Sequence, residues 1–306
     1  MRASSLLLRA GALGDVLLLR RAIAALRAAG HDVTLLAPSG PGSALLGSGP
    51  ADAGNVLPWE SADAAGLLIP EGPPPGTFRD RLARHGTAIA YTTSLPIRES
   101  LRRLIPRVLD LPPTPPPSVH ASEWLAAPTR ALGCDPSPLP PPQAPTEEER
   151  ASARPWRERL GDVFVAVHPG SGSPAKNWPG ARFADLAAEL AGGRPFLLVE
   201  GPADAEAAAV VARVPGAVIA RGLAPRVLGA LLAEAALYVG NDSGVTHLAA
   251  AWGAPTLALF GPTDPTVWSP VGQRVSFVRA KGGVLAGLDV DEVLAAARRH
   301  GGRTPT

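Results

Sequence analysis

Small and polar residues cluster in the stretch 241–247, whose sequence is NDSGVTH. The apolar run before it, ALYVG, predicts a strand, and the segment after it predicts a helix. The start of a helix carries backbone N–H groups without intrahelical acceptors and the positive end of the helix dipole, so this turn could hold an anion. Ser243 and Gly244 suit a tight turn of that kind. In the alternative interpretation, Asp242 or Ser243 only caps the helix, and His247 is a surface residue.

A second polar turn, residues 168–179 (HPGSGSPAKNWP), follows another predicted strand. Ser171 and the glycines beside it form a flexible turn rich in hydroxyls and backbone donors. Lys176 adds a compact positive charge that can meet a phosphate. This lysine and Lys281 are the two lysines among 29 basic residues. The alternative is a solvated loop in which the lysine has no role.

Acidic residues stand at the starts of other predicted helices. Asp15 ends the glycine turn GALGD, where it can cap the helix or accept a proton from an incoming hydroxyl. Asp204, in EGPADAE, can accept hydrogen bonds from ribose hydroxyls or favour the positive end of the next helix. The sequence DVD, residues 289–291, has a spacing that can hold a divalent metal. Because it opens a helix, capping explains it, and we predict no metal there.

Alternating strands and helices must position these turns. The alternation predicts two doubly wound parallel sheets, separated by the proline-rich segment 134–150, which is typical of a linker. We therefore expect an α/β protein with domains at residues 1–145 and 146–306. Ligands of such sheets bind beyond the carboxyl ends of the strands, where all these turns lie. A further polar turn, FGPTDP at residues 260–265, is expected beside NDSGVTH.

Composition narrows the class of protein. The chain has 306 residues, 29 basic and 27 acidic, and its formal net charge of +2 is too balanced to indicate nucleic-acid binding. Its single cysteine, Cys134, excludes a disulfide framework and a cysteine-based metal site. Arg9 and Asp15 interrupt the apolar N-terminal run before it could serve as a signal peptide. We expect a soluble, cytoplasmic protein.

Taken together, four segments resemble the ADP-heptose:lipopolysaccharide heptosyltransferases of glycosyltransferase family nine. In family order they are LLLRAGALGDVLLLRRAIAAL, VHPGSGSPAKNWPGARFADLA, GPADAE and YVGNDSGVTHLAAAWGAPTLALFGPTDPTVWSPVG. The resemblance extends over both domains and is loosest over residues 40–150. It implies the GT-B fold, in which two doubly wound Rossmann-like domains face a central cleft. It also implies that residues 1–145 bind the acceptor and residues 146–306 bind the nucleotide-sugar.

The resemblance further implies an enzyme and roles for individual residues. Asp15 matches the general base of the family, and Lys176 matches the lysine of a K-x-W-P motif that contacts the diphosphate and the sugar. Asp204 lies close to the ribose-binding acid of the family, and Ser171 fits the loop that lines the diphosphate. The remaining matches form a D-[ST]-G-x-x-H motif that grips the nucleotide-sugar: Asp242, Ser243, Gly244 and His247.

The implied reaction is an inverting, metal-independent transfer of heptose from ADP-heptose to a lipopolysaccharide core-type acceptor. No cofactor is expected besides the ADP-sugar donor, and no nucleic acid. The expected acceptor is an anionic glycolipid or saccharide, met in the cytoplasm, with peripheral contact to the cytoplasmic face of the inner membrane as a further option. Arginines of the N-terminal domain could guide this acceptor or could be solvated helix charges: Arg9, Arg20, Arg21, Arg98, Arg102 and Arg103.

Three other interpretations stay open. A GT-B transferase could use a different nucleotide-sugar or acceptor, because the motifs describe the diphosphate grip more than the sugar. A non-catalytic nucleotide-sugar-binding protein would bind the donor without turnover. An NAD-binding oxidoreductase is disfavoured, because neither half of the chain contains G-x-G-x-x-G.

Overall fold

The computed structural model of the protein describes residues 3–69, 71–73, 75–201 and 204–301. The chain divides into two compact units, Met1–Pro141 and Pro142–Thr306. Each unit is built on one parallel sheet whose strands alternate with helices along the chain. The α/β class expected from the sequence is therefore confirmed.

Five strands form the sheet of the first unit. In chain order they are β1 (Ser4–Leu8), β2 (Asp32–Ala37), β3 (Asn55–Pro58), β4 (Thr87–Tyr91) and β5 (Arg107–Leu111). All neighbouring pairs are parallel, in the order β3-β2-β1-β4-β5. The helices of this unit are α1 (Leu13–Leu17), α2 (Arg20–Ala28), α3 (Ser39–Ser43), α4 (Ala62–Ala65), α5 (Thr77–Ala83), α6 (Leu95–Leu104) and α7 (Ala121–Ala126), with 3₁₀ turns at Gly66–Leu68 and Ala127–Leu132.

Residues 16–30, VLLLRRAIAALRAAG, have the apolar spacing of one long helix but lie in two helices. Val16, Leu19, Ile23 and Leu26 stand at positions i, i+3, i+7 and i+10, which predicts one buried helical stripe, and all four are fully buried. The helix is nevertheless interrupted after α1, where Leu19 N–H bonds to the carbonyl of Val16, three residues back, at 3.0 Å. The stripe therefore packs on the sheet through two short helices rather than one.

Six strands form the sheet of the second unit. In chain order they are β6 (Val165–His168), β7 (Phe196–Glu200), β8 (Ala217–Arg221), β9 (Leu237–Asn241), β10 (Thr256–Phe260) and β11 (Val275–Arg279). Their order is β11-β10-β9-β6-β7-β8, again all parallel. The helices are α8 (Glu147–Leu160), α9 (Gly180–Ala191), α10 (Ala205–Val211), α11 (Pro225–Leu232), α12 (Gly244–Ala251), α13 (Pro265–Trp268) and α14 (Val290–His300), with 3₁₀ turns at Pro174–Lys176, Lys281–Gly283 and Leu285–Gly287.

One hydrophobic cluster of the second unit lies on one face of this sheet. Trp178 and Phe183 are fully buried and meet edge to face, with ring centroids 5.0 Å apart. They pack in one cluster with aliphatic side chains of the strands and of α9 and α14. Trp178 also donates its indole N–H to the carbonyl of Leu288 at 3.0 Å, which fixes the end of the polar turn 168–179 to the core.

The predicted linker is shorter than the sequence suggested. Its last residues, from Glu147 to Arg150, already belong to α8, so the assignment of residues 134–150 to a linker without regular elements was wrong at this end. Thr146 and Glu149 form a reciprocal capping box at the helix start, a local signal that outweighs the prolines before it. This helix has 14 residues.

Within the described ranges, no helix combines the length and the apolar character needed to cross a membrane.

Candidate functional site

The turns after β6 and β9 lie next to each other at the carboxyl edge of the second sheet. The two strands are parallel neighbours, with His168 paired to Gly240. From β6 the chain continues to β7 on one side, and from β9 it continues to β10 on the other. Connections that diverge in this way open a crevice that binds ligands in doubly wound sheets. The two turns that the sequence singled out therefore share one location.

An ion pair joins these two turns. Lys176 Nζ, from the 3₁₀ turn after β6, lies 2.8 Å from Asp242 Oδ2, which follows β9. Thr263 Oγ1, from the turn after β10, donates a hydrogen bond of 2.6 Å to the same oxygen, so the expected proximity of FGPTDP to NDSGVTH is confirmed. The side chain of Asp242 is 7% exposed and that of Lys176 is 31% exposed. A buried carboxylate thus positions an ammonium group that stays partly accessible.

The start of α12 lies directly beside this ion pair. Ser243 is the N-cap residue, and its Oγ accepts the backbone N–H of Thr246 at 3.4 Å. The first N–H groups of a helix, here from Gly244 onward, have no acceptor inside the helix. Together with the positive end of the helix dipole and Lys176, they form a feature suited to an anion.

His247 belongs to the same first turn of α12. It is 7% exposed, so it is not the surface residue of the alternative interpretation. Its backbone N–H bonds to the carbonyl of Ser243 at 3.2 Å. The structure therefore brings together the four residues of the proposed D-[ST]-G-x-x-H motif with Lys176. That they grip a nucleotide-sugar stays a prediction.

Asn241 is a part of this site to which the sequence analysis assigned no role. It is fully buried, its Nδ2 donates to the carbonyl of Pro169 at 2.8 Å, and its Oδ1 accepts the N–H of Trp178 at 3.1 Å. These bonds tie the end of β9 to both ends of the turn after β6. A buried asparagine at the end of an apolar strand needs hydrogen-bond partners. Its position in the sequence was therefore the signal that could have indicated its structural role.

Ser171 is bonded inside its own turn. Its Oγ lies 2.6 Å from Asn177 Oδ1 and 2.8 Å from the carbonyl of Ser173, and it accepts the N–H of Ser173 at 3.2 Å. The residue is 7% exposed. Ser171 thus shapes the turn that carries Lys176, and contact with a diphosphate stays a prediction for it.

Asp204 is buried against the turn after β6. Its Oδ2 accepts the N–H of Gly201 at 2.8 Å and lies 3.5 Å from His168 Nδ1, and the side chain is 4% exposed. A Cβ on Gly170 would lie 1.8 Å from the Asp204 carboxyl carbon, so only glycine allows this packing. Burial lowers the pKa of His168, although its bond to the carbonyl of Val199 and the Asp204 carboxylate oppose the shift. Asp204 therefore closes its own turn after β7 and packs against the turn after β6, and contact with ribose stays a prediction for it.

In the first unit, Asp15 lies in the connection that follows β1, at the switch point between β1 and β4. Its Oδ1 is 2.5 Å from Arg9 Nη2, and its Oδ2 accepts the N–H of Ala12 at 3.0 Å. A Cβ on Gly11 would lie 2.5 Å from Asp15 Cβ, so glycine is required there too. Asp15 is not the N-cap of α1, which is Ala12, but the third residue of the helix. Its bond to the N–H of Ala12 still closes the start of the helix, and its side chain remains 31% exposed.

The arginines of the first unit do not form one exposed path. Arg9 and Arg20 are 5% and 4% exposed, and each donates to a backbone carbonyl, of Pro113 and Pro141 respectively. Burial also lowers the pKa of Arg20 to about 10, which the Asp52 carboxylate partly offsets. These two buried residues therefore cannot belong to the exposed arginine path for an anionic acceptor that the sequence allowed.

Three of the other arginines on that path carry ion pairs. Arg98 and Arg102 both pair with Asp110, at 2.7 Å and 2.5 Å. Arg21 pairs with Glu123 at 3.2 Å, and Arg103 is exposed on α6. Any path for an anion would therefore depend on this outer set.

Asp289 behaves as the capping interpretation predicts. It is the N-cap residue of α14, and its Oδ1 accepts the N–H of Asp291 at 2.9 Å. Over the described ranges, no three His, Cys, Asp or Glu side chains come together in a group that could hold a metal ion.

A protein-family model and curated proteins match parts of this chain. The model of glycosyltransferase family 9 (heptosyltransferase) matches residues 107–289, more than half of the chain. Lipopolysaccharide heptosyltransferase 3 of Escherichia coli is 34% identical over 118 residues, which are 36% of this chain and 35% of that protein. Lipooligosaccharide heptosyltransferase 2 of Haemophilus influenzae is 40% identical over 55 residues, 18% of this chain and 16% of that protein. The chain thus matches about a third or less of the length of these relatives.

Solved structures share the fold along nearly the whole chain. The structure of the glycosyl transferase family 9 from Veillonella parvula has a TM-score of 0.81 and 20% identity, covering 98% of this chain and 97% of its own. The structure of E. coli heptosyltransferase WaaC with ADP has a TM-score of 0.74 and 19% identity, covering 97% and 99%. At these identities the likeness concerns the fold alone.

Two parallel-sheet α/β units, with a polar crevice at the switch point of the second, define a protein of the GT-B class. Because the family model covers more than half of its residues, the chain belongs to glycosyltransferase family 9, the heptosyltransferases. The resemblance read from the sequence is therefore confirmed. Lys176 and the motif Asp242–His247 lie inside the matched residues, whereas Asp15 lies before them.

Proposed function

We propose that this chain is an inverting, metal-independent heptosyltransferase that moves heptose from ADP-heptose to a lipopolysaccharide core-type acceptor. The observation that carries the proposal is the ion pair between Lys176 and Asp242 beside the start of α12, in a chain of glycosyltransferase family 9. The choice of heptose and ADP is supported by its similarity to lipopolysaccharide heptosyltransferases and to the structure of a heptosyltransferase with ADP.

In the proposed reaction, the second unit holds the diphosphate of the donor. Negative charge grows on ADP as the bond to the anomeric carbon breaks. Lys176 and the first N–H groups of α12 then stabilise this charge in place of a metal ion. When Lys176 turns to the phosphate, Asp242 keeps the hydrogen bond from Thr263. The pair between Lys176 and Asp242 can therefore separate when a phosphate binds, because the buried carboxylate of Asp242 keeps a hydrogen-bond donor.

Asp15 is the proposed general base. An ionised carboxylate has about four lone-pair sites, and Arg9 and Ala12 take one on each oxygen. The remaining sites can accept the proton of the acceptor hydroxyl. This hydroxyl attacks the anomeric carbon from the side opposite ADP, so the configuration inverts. The two fixed donors keep the carboxylate in one orientation before the acceptor arrives.

The remaining expectations belong to the same proposal. The diphosphate and ribose of the donor are lined by Ser171, Asp204 and His247. The acceptor is an anionic glycolipid or saccharide. The reaction requires no further cofactor and no nucleic acid. The reaction takes place in the cytoplasm, with peripheral contact to the inner membrane. Arg103 and the outer arginines of α6 support an anionic acceptor, since part of their positive charge is exposed.

The test is transfer by the purified full chain. ADP-heptose and a core-type lipopolysaccharide acceptor should yield ADP and a heptosylated product of inverted anomeric configuration, detected by mass spectrometry and NMR. Asp15→Asn, which keeps the shape of the side chain, should bind ADP normally and lose turnover. ADP binding without transfer to any acceptor would favour a non-catalytic binding protein. If the protein transferred sugar from another nucleotide-sugar in preference to ADP-heptose, that nucleotide-sugar would be the donor instead.

A further inference from the structure

Three hydroxyl groups form a buried cluster behind the anion-binding turn. The hydroxyl of Tyr238, on β9, lies 3.0 Å from Thr246 Oγ1, which lies 3.1 Å from Ser243 Oγ. Tyr238 and Thr246 are fully buried, and Ser243 is 8% exposed. The cluster therefore connects the core of the second unit to the N-cap of α12.

The backbone of β9 leaves room for this tyrosine. A Cβ on Gly240 would lie 2.3 Å from the Tyr238 hydroxyl and 3.0 Å from Thr246 Oγ1. Any side chain at position 240 would therefore separate the phenol from its partner. Burial raises the pKa of Tyr238 far above its ordinary value, so the phenol keeps its proton and can donate it.

The phenol of Tyr238 can supply a proton that the hydroxyl cluster needs. Thr246 donates its hydroxyl proton to the carbonyl of Asn241, 2.5 Å away, because a carbonyl can only accept. Thr246 Oγ1 must then accept from elsewhere, and Tyr238 or Ser243 can supply the proton. Ser243 Oγ already accepts the N–H of Thr246. As long as Tyr238 donates its proton to Thr246 Oγ1, the cluster does not need the hydroxyl proton of Ser243 as a donor.

We infer that Tyr238 is a positioning residue, which frees the hydroxyl proton of Ser243 to donate to a phosphate oxygen of the bound nucleotide. This inference rests on the proposed function, because it takes the turn at Ser243 as the diphosphate site. Tyr238 is fully buried, so it acts through Thr246 and Ser243 rather than by contact with a ligand. Without the phenol, the Ser243 hydroxyl donates inward to Thr246 Oγ1. A ligand can then accept from Ser243 only after that hydrogen bond is broken.

The experiment measures ADP binding to the full chain by calorimetry. Tyr238→Phe should weaken ADP binding about fivefold, since one inward hydrogen bond must be broken first. Ser243→Ala should weaken it about tenfold, since a hydrogen bond to a charged phosphate is lost. The matched control is Tyr91→Phe, the only other tyrosine in the chain, which is buried in the first unit and donates to the carbonyl of Leu125. This control should bind ADP as the wild type does.

A double variant separates this role from packing. In Tyr238→Phe/Thr246→Val the oxygen that competes for the Ser243 proton is gone, so ADP affinity should return to within about twofold of the wild type. A merely structural loss would instead grow larger in the double variant. The inference is overturned if Tyr238→Phe binds ADP normally while Ser243→Ala does not, or if the double variant fails to recover. Normal binding by Ser243→Ala would instead refute the proposed diphosphate site at this turn.

Discussion

Lys176 and Asp242 are 66 positions apart in the chain, and their side chains meet at 2.8 Å across the switch point of the second sheet. The pair joins the connection after β6 to the connection after β9, two strands that lie side by side. An exposed ammonium group on a flexible stem would lose rotamer freedom when it meets a phosphate. Asp242, itself fixed by the hydroxyl of Thr263, already holds the Lys176 ammonium group, so part of that cost is met in the unbound state.

Replacing Lys176 should reduce turnover strongly. Lys176→Met removes the charge that is proposed to stabilise the departing ADP, so kcat should fall by about 10²–10³-fold. Lys176→Arg should recover part of the loss, because it keeps the charge but not the compact geometry. Steady-state kinetics with ADP-heptose measures both. Lys281→Met, at the other lysine of the chain, is the control and should leave kcat unchanged. Equal losses at both lysines would contradict the assignment.

Replacing Arg9 should separate catalysis from acceptor binding. Arg9→Met removes one of the two donors that orient Asp15, so kcat should fall about tenfold or more while KM for the acceptor changes little. Arg9→Lys should retain more activity, because it keeps a donor to the carboxylate. Arg84→Met, at an exposed arginine of the same unit, serves as the control. A change confined to the acceptor KM would show that Arg9 acts on the acceptor instead.

Turnover should not depend on a divalent metal. The proposed charge stabilisation uses Lys176 and backbone N–H groups, so dialysis against EDTA should leave kcat within about twofold of its starting value. Adding Mg²⁺ or Mn²⁺ afterwards should not raise it. Loss of activity with EDTA that is restored by one of these ions would refute metal-independent transfer.

Gly170→Ala should destabilise the second unit. The new Cβ would overlap the buried Asp204 carboxylate, at a cost of about 1–3 kcal/mol in the free energy of unfolding. Gly172→Ala, two residues further on, meets no atom within 4 Å and is the control for stability. Thermal unfolding measures both variants. In the double variant Gly170→Ala/Asp204→Ala the two losses should not add, because Asp204→Ala takes away the carboxylate that the new Cβ would overlap.

His168 should make stability fall in mild acid. Burial lowers its pKa in the folded protein below the ordinary 6.5, so the unfolded chain binds a proton that the folded one resists. The contribution of the neutral imidazole is complete above about pH 6.5 and is lost as the pH falls below it. His168→Gln should therefore flatten the decrease in unfolding free energy between about pH 7 and pH 5.5. His300→Gln, at the end of α14, should retain the wild-type slope.

The sequence by itself determined the features that depend on short-range periodicity and turn chemistry. The buried stripe from Val16 to Leu26, the central strands and the polar turns after β6 and β9 are all readable from local patterns. Three strands carried too weak a pattern to be predicted: β3, β5 and β11. Each lies at an edge of its sheet, where one side of the strand lacks a partner and apolar residues are fewer.

Only the tertiary structure decided which side chains meet. Lys176 reaches Asp242, Asn241 bonds to Pro169 and Trp178, and Tyr238 supports Thr246 through a space that Gly240 leaves open. It also placed Arg9 and Arg20 in the interior, although the sequence allowed both to be solvated charges. Local patterns report whether a residue is buried or ends an element, because neighbours in the chain set those properties. Partners tens of residues away are set by strand order, and a single sequence does not display that order.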